Sequence, residues 1–173
     1  NAIARYLAKN EIPEPMGSRH PSITPFEAFK TKDSYIIIAA GNDKLFKNLC
    51  NVLQIQEIST DERFSTNSLR SENVDQLKKI IEEKLSLKTT DVWIKEMEQL
   101  KIPCGPIFNI KQAVENPQVQ ERNMIISSFH KKIGEFKSAG NPIKLSTYKE
   151  EKTRGDIPDL DEHREKIIKE FVN

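Results

Sequence analysis

The segment GSRHPS, residues 17–22, places an arginine and a histidine side by side after a glycine. The planar guanidinium of Arg19 carries a fork of N–H donors that fits a carboxylate or a phosphate. The imidazole of His20 can accept or donate a proton near neutral pH. Gly17 allows backbone conformations that other residues avoid. The segment therefore predicts a site for an anionic substrate at Arg19 and His20, with a purely structural role as the alternative.

Cys104, in the segment IPCGP, is the second residue whose type could do chemistry. A nucleophilic thiol needs a nearby base or a positive environment that lowers its pKa. The adjacent residues supply neither, although His20, His130 or His163 could approach in space. Cys104 also follows a predicted helix, whereas a helix lowers a thiol pKa at its N-terminus. We interpret the segment as a turn that holds a packed thiol, with a thiol nucleophile as the alternative.

The composition argues against several other classes of function. The formal net charge of +1 gives no overall field that would attract nucleic acid or an anionic membrane. Cys50 and Cys104, together with three histidines, show no metal-ligand spacing, so no metal is expected. The longest apolar run, residues 35–40, suits a buried strand and is too short for a membrane span. Without a secretory signal, we expect reduced thiols and a cytoplasmic location.

The elements that would position these residues follow from periodicity and turn signals. Apolar residues at helical spacing predict helices over residues 1–10, 44–53, 71–87, 91–100, 110–116 and 162–173. Strands are predicted over residues 26–31, 35–41, 124–130 and 142–146. The remaining regions are polar and turn-rich at 59–70, hairpin and turn material at 131–141, and a charged linker at 148–159. The pattern predicts an α+β fold in which a small antiparallel sheet packs with several helices.

Individual positions within these elements can also be assigned. The predicted helix N-caps are Asn42 with Asp43, Thr90 and Asn109. The predicted core face of the fourth helix carries Trp93, Met97 and Leu100. Cys50 is predicted to be a small core residue, because free cysteine is commonly buried.

Six stretches, in this order, resemble the class III CoA-transferase family, which includes formyl-CoA transferase, carnitine CoA-transferases and α-methylacyl-CoA racemase. They are GSRHPSITPFEAF, GNDKLFKNLCNVL, TDERFSTNSLR, IPCGPIFNIKQAVENPQVQERNM, AGNPIKLS and DLDEHREKI. Glu62 stands where the family has a proline, and Asp161 and Arg164 stand where it has a glycine and a threonine. The match covers nearly the whole chain and is to the C-terminal half of the family.

The resemblance implies a domain organisation. Residues 1–24 would be the linker from a large domain, residues 25–130 the small α+β domain, and residues 131–173 a return segment that ends in a C-terminal helix. The chain opens at Asn1 within a predicted helix, which agrees with a fragment of a longer protein. Arg19 and His20 would lie near substrate, because they stand where the linker enters the small domain.

The resemblance also implies a chemistry. In this family an aspartate of the N-terminal domain attacks an acyl-CoA thioester, and CoA passes to a carboxylic acid through an aspartyl-CoA intermediate. No residue of this chain matches that aspartate, so we assign no catalytic residue and expect the chain alone to be inactive. CoA would be a substrate and not a cofactor. The implied partners are acyl-CoA, a carboxylic acid and a second copy in an interlocked homodimer, with no nucleic acid and no membrane.

Two further readings stay open. A racemase of the same family would move a proton at the α-carbon of an acyl-CoA with residues of the large domain. A stand-alone module could instead use the segment 17–22 to hold an anion or a partner protein.

Overall fold

The computed structural model describes residues 2–148 and 152–172. Asn1, residues 149–151 and Asn173, which belong to the predicted first helix, charged linker and last helix, lie outside the described residues. The chain divides into two compact units, Asn1–Ile107 and Phe108–Asn173. The domain boundaries expected at residues 24 and 130 stay predictions.

Both units mix helices with antiparallel strands, which confirms the predicted α+β fold. The first unit contains α1 (Ala2–Lys9), β1 (Phe26–Lys30), β2 (Tyr35–Ala39), α2 (Asp43–Val52), 3-10 helices at Gln56–Ser59 and Glu62–Phe64, α3 (Asn67–Glu72), α4 (Val74–Leu85), α5 (Thr90–Gln99) and β3 (Cys104–Pro106). The second unit contains α6 (Ile110–Glu115), α7 (Pro117–Glu121), β4 (Ile125–His130), β5 (Gly134–Ala139) and α8 (Arg164–Phe171).

The core of the first unit lies between one face of a three-stranded sheet and a layer of helices. The strands are antiparallel in the order β1-β2-β3. Phe29, Ile36 and Ile38 project from this face, as the alternation of a strand requires. They pack with buried residues of α2, α4 and α5, among them Phe46, Leu49, Cys50, Leu77, Ile81, Leu85, Trp93 and Met97.

Several local predictions are confirmed. The Asn42 side chain caps α2 by accepting the Leu45 N–H at 2.8 Å. Asn109 caps α6 in a reciprocal capping box with Gln112. Cys50 is 1% exposed and belongs to the core. The two caps depend on residues three positions apart in the chain, so the sequence is sufficient to predict them.

The segment around Cys104 is a strand, so the prediction of a turn is wrong. Cys104 pairs with Ile38 of β2, and Pro106 pairs with Ile36. Pro106 has no N–H to donate, but β3 is an edge strand, where proline is tolerated. The prolines on either side of the cysteine therefore resemble a turn in the sequence while the chain remains extended.

Thr90 does not cap α5, contrary to the prediction. The N-cap is Thr89, and its side chain makes no capping hydrogen bond. Thr90 instead donates its main-chain N–H to Asp33 Oδ1 at 2.9 Å and contacts the same oxygen through its hydroxyl at 3.1 Å. A carboxylate from the β1–β2 turn thus satisfies a donor at the start of this helix.

The predicted core face of α5 is only partly correct. Trp93 and Met97 are buried, and the Trp93 indole N–H donates to Leu85 O at 2.8 Å. Leu100 is 40% exposed, so its assignment to the core is wrong. The reason is that α5 ends at Gln99 and Leu100, its C-cap, no longer follows the helical spacing.

Residues 59–70 contain helical structure in place of the predicted turns. The Thr66 hydroxyl caps α3 by accepting the Leu69 N–H at 3.3 Å. The helix predicted to start at residue 71 is divided in two, because α3 ends at Glu72 and α4 begins at Val74.

The second unit contains a β-hairpin whose second strand does not lie at the predicted residues 142–146, so that prediction is wrong. Residues 142–146 form no strand; β4 pairs with β5, which lies in the predicted turn material. Gly134 has a φ of 78°, which favours glycine and reverses the chain directly after β4. The polar segment GEFKSA, and not the apolar segment 142–146 that follows it, therefore lies beside β4 and pairs with it through the main chain. Within the described residues, no helix is long and apolar enough to cross a membrane.

Candidate substrate site at Arg19 and His20

The predicted site lies on a segment that runs beside β1. Gly17 adopts a φ of 63°, a left-handed conformation that glycine accepts without strain. The Ser18 hydroxyl then accepts the Ala28 N–H at 3.0 Å, and the His20 N–H donates to Phe26 O at 2.9 Å. These two bonds fix the segment along the outer edge of the sheet, so Arg19 and His20 have defined positions.

Arg19 is held by two carboxylates. Its Nε donates to Glu27 Oε1 at 3.1 Å, and its Nη2 donates to Asp75 Oδ1 at 2.8 Å. Lys78 Nζ donates to the other oxygen of Glu27 at 2.5 Å and to Ala28 O at 3.1 Å. Two positive and two negative side chains therefore form one cluster that joins the segment, β1 and α4.

The two carboxylates differ in their exposure to solvent. The Glu27 side chain is 4% exposed, whereas the Asp75 side chain is 79% exposed. Burial lowers the pKa of the Arg19 guanidinium, but the hydrogen bonds and charges of Asp75 and Glu27 outweigh this effect and raise the pKa above its ordinary value. Arg19 is therefore a permanent cation with a 25% exposed side chain.

His20 has one ring nitrogen engaged and one open. Its ring stacks on Phe26, with centroids 5.3 Å apart and planes 8° from parallel. Its Nδ1 accepts the Ser22 N–H at 3.2 Å, so a neutral imidazole carries its proton on Nε2. In the part of the chain that the structure describes, Nε2 has no hydrogen-bond partner. The ring can therefore present Nε2–H to a ligand.

The residues after His20 are fixed by α3, which the sequence did not predict. Asn67 accepts the Thr24 N–H at 3.0 Å and donates to Ser22 O at 2.8 Å, so one amide holds the main chain on both sides of Ile23. The hydroxyls of Thr24 and Ser71 lie 2.9 Å apart. The segment is thus anchored by side chains at its C-terminal end and by β1 at its centre.

Arg70 has the largest fully buried side chain among the described residues, with 0% exposure. Its guanidinium donates to the carbonyl oxygens of Thr24 at 2.9 Å, Phe64 at 3.1 Å and Gly41 at 2.9 Å. A fourth bond, at 2.9 Å, goes to Oδ1 of Asp43. Sequence reasoning missed Arg70 and Asn67, although both belong to the stretch TDERFSTNSLR that resembles the family.

An apolar cavity of about 440 Å³ lies beside Asn67 and Gly41. Ile23, Phe26, Ala39 and Leu45 form most of its wall, and Phe26 also supports the His20 ring. Gly41 lines it as well, and a Cβ at this position would overlap the Ile23 side chain. The cavity and the His20 ring share Phe26, whereas Arg19 pairs with Glu27, the next residue of β1, whose side chain points to the opposite face of the strand.

Cys104 has the environment of a structural thiol. Burial raises its pKa, and the charge of Glu98 raises it further. The side chain packs against the core of the first unit. Thiolate formation is disfavoured at neutral pH, which argues against the nucleophile alternative.

The other predicted candidates do not converge on a reactive site. In the second unit, His130 Nε2 lies 3.6 Å from Asp159 Oδ1, and His163 precedes α8 without a capping hydrogen bond. Across residues 2–148 and 152–172, no group of three or more His, Cys, Asp or Glu side chains could hold a metal ion.

Comparison with known proteins gives the chain a family. Residues 1–164 match the model of CoA-transferase family III. The chain is 36% identical to acetyl-CoA:oxalate CoA-transferase of Acetobacter aceti, over 99% of this chain and 43% of that protein. It is 34% identical to succinyl-CoA:glutarate CoA-transferase of Homo sapiens, over 98% of this chain and 38% of that protein.

A solved structure agrees with this assignment. A CAIB/BAIF family protein from Brucella suis superposes with a TM-score of 0.79 at 34% identity, over 98% of this chain and 43% of that one. The chain thus spans about two-fifths of the length of the relatives it matches. The resemblance inferred from the six stretches is confirmed, and the chain belongs to CoA-transferase family III.

Proposed function

We propose that this chain is the C-terminal part of an enzyme that moves CoA from an acyl-CoA thioester to a carboxylic acid. The observation that carries the proposal is the similarity to two CoA-transferases over nearly the whole chain. Both of these relatives are named for a dicarboxylic acid, oxalate or glutarate. We therefore propose a dicarboxylic acid as the acceptor.

Arg19 and His20 are the proposed substrate-binding residues. Arg19 supplies a cation, and His20 presents an N–H from Nε2 beside an apolar cavity. The cation suits a carboxylate, and the N–H beside an apolar surface suits an acyl group.

The covalent steps belong, in this proposal, to the part of the protein that precedes this chain. An aspartate carboxylate attacks the thioester carbonyl and displaces the CoA thiolate, which gives a mixed anhydride. The thiolate then attacks the aspartyl carbonyl, releases the donor acid and leaves an aspartyl-CoA thioester. The acceptor carboxylate then attacks the aspartyl-CoA carbonyl and displaces the CoA thiolate, which gives a second mixed anhydride. The thiolate attacks the acceptor carbonyl of this anhydride, which releases the new acyl-CoA and restores the aspartate. CoA is a substrate throughout, and no further cofactor is proposed.

The cellular setting and assembly are proposals of the same kind. We propose a cytoplasmic enzyme that forms an interlocked homodimer, in agreement with the family resemblance. The oligomeric state of the full-length protein, measured by light scattering at several concentrations, tests the second part.

The direct test uses the full-length protein that contains this chain. Purified enzyme is incubated with succinyl-CoA or acetyl-CoA and either glutarate or oxalate, and new CoA esters are identified by mass spectrometry. We expect a dicarboxylyl-CoA product from the full-length protein and none from the 173-residue chain alone. Exchange of the α-proton of a 2-methylacyl-CoA in D2O, without any CoA transfer, would replace this proposal by a racemase.

A further inference from the structure

We propose that Arg19 binds the non-reacting carboxylate of the dicarboxylic substrate and that Asp75 occupies this position while the substrate is absent. The inference rests on the proposed function and makes it more specific. It gives Arg19 the role of a specificity-determining residue, which separates dicarboxylic from monocarboxylic acids. It also gives Asp75 the role of an internal competitor for the same donor.

The difference between the two carboxylate partners of Arg19 is the first argument. Glu27 is nearly inaccessible and is shared by two cations, Arg19 and Lys78. Asp75 is largely exposed, and its one contact among the described residues is with Arg19. A buried carboxylate with two cationic partners cannot leave without exposing unpaired charges. An exposed ion pair contributes little and is readily exchanged.

The unused donors of Arg19 are the second argument. A guanidinium has five N–H groups. Glu27 takes the one on Nε, and Asp75 takes one on Nη2. Among the described residues, both N–H groups of Nη1 are without a partner. A substrate carboxylate that replaced Asp75 could bind Nη1 and Nη2 together, and such a bidentate pair is stronger than the single bond that Asp75 makes.

The charge of the cluster is the third argument. With Asp75 in place, the charges of Arg19 and Lys78 are balanced by those of Glu27 and Asp75. When the Asp75 side chain turns into solvent, the remaining three groups carry one net positive charge. That charge is shared by the guanidinium of Arg19 and the ammonium of Lys78, which are both partly exposed, and it attracts one carboxylate. A monocarboxylic acid spends its carboxylate on the reaction and has none left for this site.

The test compares glutarate with pentanoate, a monocarboxylic acid with the same number of carbon atoms. In the full-length enzyme, Arg19→Gln should raise the KM for glutarate roughly ten- to a hundredfold, the loss expected for one charged hydrogen-bonded pair. The KM for pentanoate should change little. Asp75→Asn should lower the KM for glutarate roughly two- to fivefold, because the competitor is weakened.

A matched control separates this effect from a general change in charge. Asp91 occupies the second position of α5, as Asp75 does in α4, and it is also exposed. Asp91→Asn removes the same charge from the same helix position without touching Arg19, and it should leave the KM for glutarate unchanged. If Arg19→Gln affects glutarate and pentanoate equally, or if Asp75→Asn behaves like Asp91→Asn, the inference is wrong.

Binding is measured separately from turnover. The 173-residue chain is titrated with glutarate and with pentanoate while the NMR signal of the Arg19 Nε–H is followed. We expect a saturable shift with both acids, tighter in Asp75→Asn, because no reaction takes up the carboxylate of pentanoate in the isolated chain. The absence of a shift with glutarate would contradict the inference. Carboxylate binding at Arg19 with no CoA transfer by the full-length protein would refute the proposed function and support the carboxylate site. CoA transfer without a selective effect of either variant would support the proposed function and refute the carboxylate site.

Discussion

Replacement of Arg70 by methionine tests whether this buried side chain stabilises the first unit. Methionine keeps much of the apolar volume and removes all four donated hydrogen bonds. Three of the acceptors are main-chain carbonyls, and each buried acceptor left without a donor costs about 1–3 kcal/mol. The sum is an upper bound because the structure relaxes. We expect a loss of about 3–5 kcal/mol in the free energy of unfolding, at the lower end of this sum.

The assay follows unfolding through tryptophan fluorescence. Trp93 is the one tryptophan of the chain, and it is 3% exposed in the core of the first unit, so its emission reports this unit alone. Urea midpoints and slopes of the variant and the parent chain then give the difference in stability. A midpoint that falls while the slope stays constant would show a loss of stability without a change in the unfolding reaction.

Arg63→Met provides the matched control. Arg63 is also paired with an aspartate, Asp61, but its side chain is 54% exposed, so its loss should lower the urea midpoint far less than the loss of Arg70. Asp43→Asn should lower the midpoint more than Arg63→Met and less than Arg70→Met, because the buried guanidinium loses its carboxylate partner but keeps the three carbonyl acceptors. If Arg70→Met were as mild as Arg63→Met, the three carbonyl contacts would not stabilise the unit and the reasoning would fail.

Three further predictions concern other parts of the first unit. A main-chain N–H at the start of α5 holds the pKa of Asp33 below its ordinary value. The Asp33 carboxylate therefore stabilises the fold fully above about pH 4, and this stabilisation disappears as the pH falls through the lowered pKa of the folded state. Asp33→Asn should flatten the pH dependence of the urea midpoint in that acidic range. Gly41→Ala should lower the urea midpoint because the new Cβ overlaps Ile23, and adding Ile23→Ala should recover much of the loss. Burial raises the pKa of the Cys104 thiol and raises that of Cys50 to about 12. Iodoacetamide at pH 7 should therefore label Cys104 more slowly in the folded chain than in urea, and Cys50 more slowly than Cys104. Fast labelling of Cys104 at pH 6, measured by mass spectrometry, would contradict this prediction.

The sequence predicts elements whose information is local. The apolar stripe of α4 is evident because Leu77, Ile81 and Leu85 follow helical spacing, and all three are buried. Asn42 and Asn109 are identified as caps because their partners lie three residues away. The sequence does not predict β5, because its polar residues pair with β4 through the main chain and show no alternation of apolar side chains.

The candidate site was predicted only in part, for a related reason. Arg19 and His20 are predicted as substrate-binding residues because their side chains can bind an anion or exchange a proton whatever their surroundings. The partner Asp75 lies 56 residues from Arg19, and only the packing of α4 against β1 brings the two together. Arg70 was overlooked because a charged residue in a polar segment usually lies on the surface, and its burial depends on carbonyls from three separate segments.

The way in which residues 22–24 are attached has a mechanical consequence. Asn67 and Arg70 hold the main chain of Ser22 and Thr24 through side chains, upstream of the first residue of β1. A pulling force applied at the N-terminus therefore reaches these two side chains before it reaches any hydrogen bond between β1 and β2. Several bonds around one short segment carry such a load together, so they should break in a single event at high force. Once the upstream bonds of Ser18 and His20 to β1 have broken, Asn67 and Arg70 keep tension away from the β1–β2 hydrogen bonds until that event.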